Sequence, residues 1–131
     1  MPEPSTSFDG KPGGMEIREM PDGVVISLSG DHDLSTKPQL AGALKRLRGA
    51  SWANIVLDLR QCTFVDSTII GAILAARRQD ASRAPNVSVV LPDDTSYVYR
   101  ALTVVGLTAL VPAHASIEAA LAAPLDAPRR P

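Results

Sequence analysis

Apolar residues in this chain come in short runs divided by turn chemistry, and the spacing inside each run predicts its element. Glu16-Ile17-Arg18-Glu19-Met20 alternates in character. Pro21-Asp22-Gly23 supplies a turn before Val24-Val25-Ile26-Ser27-Leu28-Ser29, and together they predict an antiparallel hairpin whose second strand stops at Gly30. Ser35 or Thr36 is placed to cap a helix with Pro38 in its first turn. Leu40, Leu44 and Leu47 share a face of that helix, Lys45, Arg46 and Arg48 suit its C-terminal dipole, and Gly49 ends it. Asn54-Ile55-Val56-Leu57-Asp58-Leu59 reads as a strand buried on both faces. After a strand-like approach over Cys62-Thr63-Phe64-Val65 and a turn at Asp66-Ser67, Ile69, Ile70, Ile73 and Leu74 mark one face of a helix reaching about Gln79. Val87-Ser88-Val89-Val90-Leu91 predicts another strand. Tyr97, Val98, Ala101, Leu102 and Val105 predict a helix stopped by Gly106, Ala109-Leu110-Val111 a short last strand, and Ser116 the cap of a final helix carrying Ile117, Ala120 and Leu121.

That order implies an α/β (α+β) fold, a mixed sheet of 4-5 strands with about four helices packed on it. Residues 1-14 are dense in Pro, Gly, Ser and Thr, and residues 122-131 alternate Ala, Pro and charge. Neither end can bury enough apolar surface to offset its ordering entropy, so both are expected as flexible tails around one domain at 15-121. A length of 131 residues, 45% of them hydrophobic and 21% charged, fits one small domain better than two.

Charge and chemistry then narrow the function. Thirteen basic and 14 acidic residues give a net charge of -1 without long single-sign blocks, which argues against nucleic acid or an anionic membrane and favours a protein partner. Cys62 is the only cysteine, so no intramolecular disulfide forms, and it reads as a small apolar residue because no basic neighbour or resolving cysteine activates it. His32 and His114 lie far apart, leaving no metal-ligand spacing. The N-terminus lacks a signal-peptide pattern, and the longest apolar stretch, Ile69 to Ala76, falls short of the roughly 20 residues of a membrane span. A cytoplasmic protein is expected. No Gly-x-Ser-x-Gly elbow surrounds Ser67 and no phosphate-binding Gly-x-x-x-x-Gly-Lys-Ser/Thr loop exists, so neither catalytic residues nor a cofactor or metal is expected. Trp52 and the Tyr97/Tyr99 pair carry no assigned chemistry, and Arg77-Arg78 favour a helix C-terminus.

Asp66-Ser67-Thr68 remains as the candidate site. It puts two hydroxyls and a carboxylate at a helix start, where four backbone N–H groups lack intrahelical partners and a phosphate meets a favourable field. Ser67 is equally placed to be an ordinary helix cap, worth about 1 kcal/mol. Thr68, the neighbouring hydroxyl, is the second-choice acceptor.

Two motifs resemble those of a known family. Gly30-Asp31-His32-Asp33, followed by Leu34-Ser35-Thr36, looks like a Gly-x-x-Asp turn; Phe64-Val65-Asp66-Ser67-Thr68-Ile69-Ile70-Gly71 is similar to a phosphorylation loop. Both belong to the STAS domains of bacterial anti-sigma-factor antagonists, and the resemblance spans roughly Met15 to Leu121. It implies a domain that binds an anti-sigma factor/serine-protein kinase while unphosphorylated, releases a sigma factor, and is switched off when the kinase phosphorylates the motif serine. A phosphatase would reset it, and any ATP comes with the partner. Ser67 matches that serine and Asp33 the nearby turn aspartate, which makes Asp33, Asp66, Ser67, Thr68, Ile69 and Ile70 the expected partner-binding set. The family commonly has Gly where this chain has Ile69, a β-branched side chain that either points inward as core or presents an apolar knob. The alternative is a non-phosphorylated STAS adaptor of a transporter or signalling complex.

Overall fold

The computed structural model describes residues 13–50, 52, 54–78 and 86–123. In chain order its elements are β1 (Gly14–Met20), β2 (Gly23–His32), α1 (Lys37–Gly49), β3 (Asn54–Val65), α2 (Ser67–Arg78), β4 (Asn86–Val90), α3 (Tyr97–Val104), β5 (Ala113–His114) and α4 (Ile117–Ala122), with a 3-10 turn at Leu107–Ala109 before β5. The strands form one sheet in the order β1-β2-β3-β4-β5, antiparallel between β1 and β2 and parallel thereafter. This is the mixed α/β architecture expected.

Successive parallel neighbours joined by right-handed crossovers place α1, α2 and α3 on the same side of the sheet. Alternation along the strands then divides the core. Ile26, Leu28, Ile55 and Leu57 face Leu40, Leu44, Ile69, Ile73 and Leu102 from those helices, while Val25, Val56 and Val90 face Ala120 of the short α4. Each fully buried aliphatic side chain contributes about 1.5–3 kcal/mol of transfer free energy, so the three-helix side holds most of the stability.

Three boundaries differ from the sequence pattern. β2 continues past Gly30 because that residue takes φ +76° at a register shift between Gly30 and Asp31, so it bends the strand without ending it. β3 is one strand through Val65: exposed Arg60 and Gln61 mimic a loop, but Gln61 and Cys62 pair with Ser29 and Gly30. The strand expected at Ala109-Leu110-Val111 is absent. Leu107 and Val111 both turn inward at helical spacing, and the Leu110 and Val111 N–H groups donate to the Leu107 carbonyl at 2.9 Å each; β5 follows at Ala113–His114. The last predicted residue of α2, Gln79, and the tail segments 1–12 and 124–131 lie outside the described residues. Among the described residues no helix is long and apolar enough to cross a membrane.

Candidate functional site

Parallel pairing of β2 with β3 fixes the site. The register Asp31↔Phe64 and His32↔Val65 brings the loop after His32 alongside the loop after Val65, so Asp33 and Asp66 leave the same rim of the sheet. Asp66 then links the two loops. One carboxylate oxygen accepts the Thr68 N–H at 3.0 Å, the Thr68 hydroxyl at 2.6 Å and the Ile69 N–H at 3.2 Å; the other accepts the Leu34 N–H at 3.2 Å. Partial burial pushes the Asp66 acid up, but the Thr68 hydroxyl and the three backbone N–H groups outweigh it and hold the carboxyl below its ordinary 3.8.

Asp66 is therefore the residue that caps α2, and Ser67 is the first helical residue beyond it. This corrects the reading of Ser67 as the cap. The Ser67 side chain is exposed and its hydroxyl has no hydrogen-bond partner among the described residues. Thr68 is half-buried, with its hydroxyl proton given to Asp66.

Ile69 is fully buried and Ile70 is buried to 9% exposure, so both belong to the core. Their expected place on a partner-facing surface is corrected: α2 turns this edge towards the sheet, and a partner could touch Ile69 only by unpacking the domain. The position that is commonly Gly in the family is filled here by a core side chain.

Asp33 closes its own turn. Its carboxylate accepts the Ser35 N–H at 2.9 Å and the Ser35 hydroxyl at 2.6 Å, and its carbonyl accepts the Thr36 and Lys37 N–H groups. Behind it, His32 is buried. Its Nε2 lies 3.1 Å from the carbonyl oxygens of both Gly14 and Ser29, so that nitrogen carries the proton, and Nδ1 lies 3.1 Å from the Thr36 hydroxyl. Thr36 stands at the N-cap of α1 without capping it, because its hydroxyl is occupied by His32 and by the Asp33 backbone. Neither His32 nor His114, which lies on the edge strand β5, hydrogen-bonds Ser67.

Sequence reasoning missed the apolar rim around Ser67. Leu34, Phe64 and Tyr97 remain 66%, 36% and 49% exposed, enough to offer a contact surface, and the Phe64 and Tyr97 rings stack at a centroid distance of 5.4 Å and 8° between planes. Phe64 had one legible signal: it directly precedes inward-facing Val65, so strand alternation turns it outward. Cys62 is buried, which pushes its thiol up to about 11, and it serves as apolar filling. Among the described residues no cluster of His, Cys, Asp and Glu could hold a metal ion.

The family model described as "Mlab, STAS domain" matches residues 15–112. No curated protein sequence matches the chain. Among solved structures, an anti-sigma factor antagonist from Mycobacterium paratuberculosis is 22% identical with a TM-score of 0.75, over 84% of this chain and 92% of that one. The anti-sigma factor antagonist SpoIIAA in its unphosphorylated form is 20% identical with a TM-score of 0.67, over 81% and 92%. A sulfate transporter family protein from Wolinella succinogenes is 19% identical with a TM-score of 0.62, over 75% and 80%. With the five-stranded mixed sheet, its helices and a family match across most of the domain, this chain belongs to the STAS domain family.

Proposed function

We propose that this domain is an anti-sigma-factor antagonist that binds an anti-sigma factor/serine-protein kinase through the rim at Ser67, frees a sigma factor, and is switched off by phosphorylation of Ser67. The observation that carries the reading is the Ser67 hydroxyl, exposed and unpartnered on the first residue of a helix that Asp66 already caps. A transferase can reach it without opening the fold. Phosphate adds about -1.5 to -2 charges beside Asp66 and Asp33, and a partner surface fitted to a neutral hydroxyl then meets repulsion and lost solvation. Each 1.4 kcal/mol of that penalty is about tenfold in affinity. The domain itself tolerates the group, since the α2 N-terminus favours an anion.

Similarity to a protein named as an anti-sigma factor antagonist and studied in an unphosphorylated form supports the same reading. Thr68 is the lesser acceptor because its hydroxyl is already bonded to Asp66. Phosphatase resetting and a cytoplasmic setting belong to this proposal.

The test is incubation with candidate anti-sigma kinases and ATP, read by intact mass. A gain of about 80 Da that disappears in Ser67→Ala supports the switch. Titration calorimetry should find parent-like kinase binding for Ser67→Ala and binding at least tenfold weaker for Ser67→Asp, with both variants losing less than about 0.5 kcal/mol of stability because the cap is Asp66. Equal binding by Ser67→Asp and the parent would remove the charge mechanism. A second reading, a STAS adaptor that is never phosphorylated, is favoured by the core-filling Ile69 and by similarity to the sulfate transporter family protein; it predicts no mass gain and indifference to Ser67→Asp.

A further inference from the structure

On the helical side of the sheet, α1 and α2 run parallel and leave an open groove of about 770 Å³ between them. Its floor is small-residue helix: Gly71 and Ala75 of α2 are exposed, and nothing lies within 4 Å of a Cβ built on Gly71. Its wall is cationic. Lys37, Lys45 and Arg48 line it from α1, a helix with four basic residues and no acidic one. The only salt bridge among the described residues joins Arg60 to Asp58, on another part of the molecule, so these three cations have no ionic partner there. The Arg48 Nε is shut off from solvent and lacks a hydrogen-bond acceptor. That N–H is out of reach of a docking ligand as the side chain stands, so Arg48 serves the groove as a half-buried positive charge on its wall.

We propose that the α1/α2 groove docks an acidic amphipathic helix of the protein partner. Small residues let a helix approach closely, as in helix-in-groove recognition, and the cations supply the complement to its carboxylates. From Lys37 to Arg48 the wall is about 16 Å long, which matches about three helical turns. Thr68 lines the Ser67 end of the same groove, opposite Lys37. Identifying the helix as part of an anti-sigma kinase rests on the proposed function, and it adds a cause to the switch: a phosphate on Ser67 stands at the groove mouth, competes for Lys37 and repels the acidic helix.

The test is an NMR titration of the full chain with a synthetic peptide of about four helical turns, with Ala and Leu along one stripe and Glu on its flanks. Backbone amides of Lys45, Gly71 and Ala75 should shift. Lys45→Glu and Ala75→Glu, both at exposed positions, should each weaken binding about tenfold, whereas Lys45→Arg, which keeps the wall's charge and leaves the floor open, should bind about as tightly as the parent. Shifts absent from the groove, or equal binding by a peptide with Lys replacing every Glu, would overturn the proposal. So would tripolyphosphate or phosphatidylserine vesicles producing the shifts while the acidic peptide does not. Phosphorylation of Ser67 is read separately by mass: peptide in the groove without any mass gain sinks the switch and keeps the groove, and a mass gain with a silent groove does the reverse.

Discussion

The α4 side of the sheet and the rim at Ser67 each hold a carboxylate below its usual range, by different means. Burial pushes the Asp58 acid up, but its ion pair with Arg60 wins: Arg60 donates through its side chain at 2.9 and 3.1 Å and through its backbone N–H at 3.1 Å, with the Ser27 hydroxyl at 3.5 Å. That charge is balanced on the spot by a cation. Asp66 is satisfied by three N–H groups and one hydroxyl, with no cation bonded to it among the described residues. A second anion near Asp58 would meet Arg60, whereas one on Ser67 would sit beside a carboxylate held only by neutral donors, and a docking partner would feel the sum.

Removing each carboxylate tests this contrast. Asp66→Ala takes a cap from α2 and the Leu34 tether from the neighbouring loop, and should lower the unfolding free energy by about 2 kcal/mol in urea titration, with Asp66→Asn recovering most of it. A loss of a few tenths would mean that Asp66 organises nothing. Asp58→Ala should cost about 1 kcal/mol, because the released Arg60 side chain is 43% exposed and can turn to water. If it costs more than Asp66→Ala, the ranking of the two sites is reversed.

Acid titrates both carboxylates at once. Both groups have folded values below the ordinary 3.8, so the unfolded chain binds more protons between the two values. Their stabilisation is fully present above about pH 4 and is lost as pH falls through the folded values. Urea midpoints measured from about pH 5 to about pH 3 should therefore fall in the parent and fall less in either alanine variant. Curves that stay parallel would mean that neither carboxylate carries the linkage.

The legible parts of the fold were those with a clear period. Leu40, Leu44 and Leu47 marked the buried face of α1, and Ile55 to Leu59 the doubly covered part of β3, because burial on one or both sides writes itself into the apolar spacing. Arg60 and Gln61 hid the rest of β3, since a strand that leaves the shelter of its helices looks like a loop until its neighbour is known. Ala109-Leu110-Val111 misled because a short apolar run suits a strand or a turn of helix equally, and only the bonds of Leu110 and Val111 back to Leu107 decide it. At the site, the motif was legible but the division of labour was not. Asp66 and Ser67 are both good capping residues one position apart, and only the backbone settles which one caps. The groove and the Phe64–Tyr97 pair join residues from separate elements, which no local pattern records.

That stacked pair also supplies a built-in gauge. Parallel rings at 5.4 Å shield each other's protons, and Phe64 stands three positions before the proposed acceptor, so modification or docking at this edge should displace the Tyr97 ring resonances. A one-dimensional proton spectrum of unlabelled material can then follow the switch in real time, with no dye or tag near the surface under test.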